Sequence, residues 1–179
     1  MFVRAVGEAG DLDAGLTGST QAFGWAAQSG GMGNDVGWAV AVDAVGNSHV
    51  TGYFSGTVDF DRGPGAVNLT SAGGTDIYVA KYSVGGALIW AKRAGGTGAD
   101  EGTGVALESS GNVLVTGHLQ VTSDFDPGPG TTNLTSAGDD DIVVWRLDSS
   151  GAFVWAKRAG GASSDCGYGV PVDSSDSIL

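Results

Sequence analysis

The sequence predicts an all-β fold made of repeated four-stranded antiparallel meanders. Three observations carry that expectation. The stretch Trp90-Ala91-Lys92-Arg93-Ala94-Gly95-Gly96 returns letter for letter from Trp155 to Gly161 and in worn form from Trp25 to Gly31, and tryptophans at 25, 90 and 155 set a period of 65 residues. Within each period, apolar and small residues alternate with period two, which is the signature of strands. The composition agrees: 33 of 179 residues are Gly and only 16% are charged, which favours short strands and many turns.

The elements follow in order. Trp38, Val40 and Val42 alternate with Gly37, Ala39 and Ala41; one period on, Thr103, Val105 and Leu107 alternate with Gly102, Gly104 and Ala106; a further period gives Tyr168, Val170 and Val172. One face of this strand is bulky and the other is small, so a second sheet can approach closely. Gly46-Asn47 and Gly111-Asn112 supply the positive φ angles of a tight hairpin. A second strand holds Val50-Thr51-Gly52 and Val115-Thr116-Gly117, and an irregular loop carries Asp59-Phe60-Asp61 and Asp124-Phe125-Asp126 ahead of Gly-Pro-Gly. The third strand runs over Ile77–Lys81 and Ile142–Arg146, and the fourth over Ala87–Trp90 and Ala152–Trp155 into the Lys-Arg pair. Aligned by the period, Asp11-Leu12 falls on Asp76-Ile77 and Ala22-Phe23 on Ala87-Leu88, so residues 1–24 read as the decayed second half of a repeat.

Repeated four-stranded meanders suggest propeller blades. Gly111-Asn112-Val113-Leu114-Val115-Thr116-Gly117, Asp76-Ile77-Tyr78-Val79-Ala80-Lys81-Tyr82 and the Asp-Phe-Asp-Pro-Gly-Pro-Gly insertion resemble the SBBP repeats of bacterial β-propeller proteins. The resemblance covers roughly residues 25–179. It implies a secreted or surface-associated bacterial propeller, hence an extracellular or cell-surface location, although Met1-Phe2-Val3-Arg4 opens no signal peptide. The expected division is a degenerate partial blade over 1–37, blades over 38–102 and 103–167, and the start of another over 168–179. Such a chain holds an incomplete ring. Unpaired strand edges recruit partners, so a homo-oligomer, a dimer first, is expected, or else a piece of a longer propeller.

The net charge of −12 repels phosphate backbones and excludes nucleic acid as a partner. No apolar run approaches the roughly 18 residues a membrane span needs. The lone Cys166, at the phase of Val36 and Glu101, forms no intrachain disulfide.

The foremost chemical candidates are Asp59 and Asp61, and again Asp124 and Asp126. Alternate carboxylates on a tight loop suit a hard cation such as calcium; Gly63 and Gly128 break the calcium-loop signature, and the other reading is a turn whose carboxylates hold backbone N–H groups. Asp35, Asp100 and Asp165 form a second row, read as turns leading into strands. Lys81, Lys92, Arg93, Arg146, Lys157 and Arg158 read as outer-edge charges that discourage strand pairing, with anion binding as the other use. His49 and His118 share no phase, and no nucleophile elbow, zinc motif or Cys/His cluster is present. No catalytic residue is identified and no cofactor is required, calcium being the one possibility. The functional expectation is therefore a non-enzymatic propeller module that binds a partner and self-associates. The alternative is a calcium-assisted hydrolase of the lactonase or esterase type working on the propeller axis.

Overall fold

A computed structural model describes residues 2–5 and 24–178; the register proposed for Asp11-Leu12 and Ala22-Phe23 lies outside them. The order is β1 (Phe2–Ala5), β2 (Trp25–Gln28), β3 (Val36–Val42), β4 (Ser48–Phe54), β5 (Thr57–Asp59), β6 (Asn68–Thr70), β7 (Asp76–Tyr82) and β8 (Leu88–Gly96). One period later come β9 (Glu101–Leu107), β10 (Val113–Leu119), β11 (Thr122–Asp124), β12 (Asn133–Thr135), β13 (Asp141–Leu147) and β14 (Phe153–Ala159). The meanders are as expected: β3-β4-β7-β8 and β9-β10-β13-β14 are antiparallel throughout. The fold is all-β and propeller-like, and its ring is not closed within the chain.

The Asp-bearing loop departs from the expectation of irregular structure, because each copy holds a short hairpin, β5-β6 or β11-β12. Its cause is a threonine pair on the outside, Thr57 with Thr70 and Thr122 with Thr135, each joined by a 2.8 Å hydroxyl hydrogen bond, over a buried Val58 or Ser123 inside. The second hairpin also reaches back to the first blade. Ser123 pairs with Gly96 and Asp124 with Gly95, so β11 and β12 extend that blade's sheet to six strands.

Two cores result. Val50, Phe54, Val58, Phe60, Tyr78 and Tyr82 fill one face of the first blade, with Trp25 against it. The other face presents Ile77 and Val79 to Val113, Val115, Val143 and Trp145 of the second blade, with Val105 and Leu107 packed on the cluster. Area removed from water here contributes about 25 cal/mol per Å², so the blade junction is a principal source of stability. The small residues of the first strand serve it directly. A Cβ on Gly102 would lie 3.0 Å from Ile77 Cγ2 and 3.2 Å from the Gly52 carbonyl oxygen. Gly167 stands the same way on the second blade, 3.1 Å from Ile142 Cγ2 and 3.2 Å from the Gly117 oxygen. After Gly167, Val172 and Ile178 form an isolated bridge.

Candidate functional site

The site grows from the turn that links one blade to the next. In Gly95-Gly96-Thr97-Gly98-Ala99-Asp100, the Asp100 side chain turns back on its own loop. Its Oδ2 accepts from the Gly96 N–H at 2.8 Å, and its Oδ1 accepts from the Gln120 N–H at 3.0 Å and the Ser123 hydroxyl at 2.7 Å. The side chain is fully buried and burial raises its pKa, with the Ser123 bond working against that rise. Asp35 and Asp165 repeat the backbone contact, to Gly31 at 2.7 Å and Gly161 at 2.9 Å. The second row of aspartates closes the links between blades.

The Asp pairs sit where the hairpins turn. Asp59 Oδ1 accepts from the N–H groups of Asp61 (3.0 Å) and Val67 (2.9 Å), and Asp61 Oδ1 from Gly63 (2.8 Å). Asp124 and Asp126 repeat this with Asp126 N–H (3.0 Å), Thr132 N–H (2.8 Å) and Gly128 N–H (2.8 Å). Each pair belongs to its own hairpin. Among the described residues no group of three or more His, Cys, Asp or Glu converges in a way that could hold a metal ion.

What the structure adds is the wall facing the second pair. Because β11 continues β8, Asp124 and Asp126 overlook the outer edge of β8 at Ala91, Lys92 and Arg93. Together they line a cleft of about 230 Å³, with Leu69 and Pro127 supplying apolar surface. Arg93 spends one guanidinium nitrogen on the buried Asp76, whose pKa is raised by burial in spite of that bond. Arg158 and Asp141 repeat the ion pair. Lys92, Asp124 and Asp126 enter no ion pair among the described residues.

Several of these partners escape a reading by motif. Asp76–Arg93 and Asp141–Arg158 share a spacing, as do Asp43–Lys81 and Glu108–Arg146, and matched spacing one period apart is the signal that finds them. The Glu108–Arg146 pair is bidentate, at 2.7 and 2.6 Å, and the guanidinium holds the Glu108 carboxyl below its usual range. The histidines stay apart in role: His49 is fully buried at the junction, whereas His118 is half-buried on β10. Two of the recurrent tryptophans are packing residues, Trp25 against Tyr82 with ring centroids 6.1 Å apart and Trp90 against His49 at 6.0 Å.

Blades of this form, docked in series by a repeated junction, define a β-propeller repeat protein. Residues 89–118 match the family model of the SBBP beta-propeller repeat, so the chain carries a repeat of that family. Over 149 residues, 78% of the chain, it is 28% identical to an uncharacterised WD repeat-containing protein of Acanthamoeba polyphaga mimivirus, and it covers 11% of that protein. Over 93 residues, 52% of the chain, it is 30% identical to regulatory protein FlaEY of Caulobacter vibrioides, and it covers 10% of that protein. The chain thus spans about a tenth of the length of the curated relatives it matches.

Proposed function

We propose that the chain is a non-enzymatic propeller module that works by docking, and that it self-associates through the open face of its first blade. One observation carries this reading. Val105 and Leu107 are packed into the blade junction, yet Val40 and Val42, the residues one period earlier, are 53% and 58% exposed. They stand on the face of Val50, beside the first core, with the exposed Trp38 at the bulge next to them. A contiguous apolar strand face left in water marks an interaction surface. The second blade offers the matching surface, since Ile142, Val144 and Trp155 take the positions of Ile77, Val79 and Trp90 and are half-buried. A second copy docking its β3 there exchanges places with the stretch after Gly167, in the manner of a domain swap. The extracellular or cell-surface setting implied by the repeat family belongs to the same proposal. Solution mass measured against concentration, for the natural chain and for a variant with lysines at 40 and 42, tests it.

A further inference from the structure

We propose that a second copy of the chain seals its docking with a strand joint, in which its β5-β6 hairpin adds to the free edge of β14 at Gly160 and Gly161. The inference rests on the docking reading above and names the seam through which that docking is locked.

The joint exists once inside the chain. β11 pairs with the end of β8, Ser123 with Gly96 and Asp124 with Gly95, and this pairing builds the six-stranded sheet. It depends on glycine, since a Cβ on Gly96 would lie 2.0 Å from the Thr122 carbonyl oxygen, too close for any side chain. One period later the same edge stands open. A Cβ on Gly161 would meet nothing within 4 Å among the described residues, and Ala159 and Gly160 are exposed where Ala94 and Gly95 are buried. The edge is nonetheless already shaped, because Asp165 accepts from the Gly161 N–H at 2.9 Å as Asp100 accepts from the Gly96 N–H at 2.8 Å. A preformed edge costs little ordering when a strand is added to it.

The other half of the joint is on the chain as well. Thr57-Val58-Asp59 is the copy of Thr122-Ser123-Asp124, and its hairpin closes through the same threonine bond of 2.8 Å. Yet β5-β6 is a sheet of only two strands. In the free chain it lies against the turn after β2, where a Cβ on Gly31 would come within 2.6 Å of the Thr57 oxygen, but no ladder joins β5 to β2 among the described residues. An unpaired strand edge adds to another readily.

Charge decides which edge β5 prefers. β2 carries Gln28 where β8 carries Arg93 and β14 carries Arg158. In the joint inside the chain, Arg93 lines one cleft with Asp124 and Asp126. In the joint between copies, Arg158 of one copy stands in the same way towards Asp59 and Asp61 of the other, a contact of opposite charges that Gln28 does not offer. β2 thus keeps the place of a fourth strand until a complete one arrives from a second copy, as in a domain swap.

The test is amide hydrogen exchange of the whole chain at low and at high concentration, together with sedimentation velocity of Gly161→Val. Association is expected to slow exchange at residues 57–59 and 159–161. Gly161→Val is expected to weaken self-association by about tenfold or more, as an overpacked contact does. It is expected to leave the melting temperature of the dilute chain unchanged, because Gly161 has no positive φ and nothing stands near it. Gly161→Val associating as tightly as the natural chain, while Val40→Lys/Val42→Lys does not associate, overturns the joint and leaves the docking reading in place. An associated chain with unslowed exchange at 159–161 does the same. A natural chain that stays a monomer at every concentration overturns both.

Discussion

His49 and Trp90 meet edge to face inside the blade junction, their ring centroids 6.0 Å apart and their planes at 65°. His49 is fully buried, neither ring nitrogen has a hydrogen-bond partner among the described residues, and burial, aided by the nearby Lys81 and opposed by Asp43, lowers its pKa to about 4. One period later the position is Leu114, also fully buried. A histidine held neutral in the fold but free to charge when unfolded, where its pKa is about 6.5, contributes stability that is present above pH 6.5 and lost as pH falls towards 4. The expected loss is on the order of 2–3 kcal/mol. Thermal melts between pH 7 and pH 4.5 should show it, and His49→Leu should flatten the curve in that window. A variant with the same slope as the natural chain would place the acid sensitivity elsewhere.

Val121 offers a gain in stability. It has φ +55° and is 58% exposed, in the turn between β10 and β11, where one period earlier Gly56 has φ +73°. A β-branched residue in the left-handed region carries a cost of about 1–2 kcal/mol that glycine avoids. Val121→Gly is therefore expected to raise the denaturation midpoint with an unchanged slope. Urea titration reads both quantities at once.

Gly102 and Gly169 make a matched control for close blade approach. A methyl group on Gly102 meets Thr51, Ile77 and the Gly52 oxygen, whereas on Gly169 it meets nothing within 4 Å. Gly102→Ala is expected to destabilise by about 1–3 kcal/mol, as overpacking of a filled interior does, and Gly169→Ala to stay within about 0.5 kcal/mol of the natural chain. Equal effects from the two would mean that the junction tolerates separation.

The sequence made the repeat legible because Trp25, Trp90 and Trp155 and the alternation at 103, 105 and 107 are local patterns, and local patterns report period and strand identity. It did not distinguish Val40 from Val105, because exposure there depends on whether a blade stands in front, and neighbours in space are not written in the residue itself. The hairpins at Thr57 and Thr122 look irregular in the sequence because three-residue strands leave no periodicity to detect; the Asp59 and Asp124 carboxylates hold their turns and the Thr–Thr contacts close their open ends. In the sequence Lys92 and Asp124 stand as separate features, edge charges on one hand and a loop pair on the other. Their placement along one cleft follows from two residue pairs between β8 and β11, a contact between blades that no single motif contains. The spacing of Asp100 from Gly96 marks a turn residue in the sequence, and that spacing makes the backbone bond at 2.8 Å.

The most direct measurement is sedimentation velocity over a hundredfold range of concentration, on the natural chain and on Val40→Lys/Val42→Lys. Both substitutions fall on side chains more than half exposed, so equal melting temperatures are expected at the lowest concentration. The account predicts that the natural chain moves from 17.8 kDa towards a heavier species as concentration rises and that the double variant does not. A natural chain that stays at 17.8 kDa throughout, or a variant that associates just as strongly, would contradict docking through the open blade face.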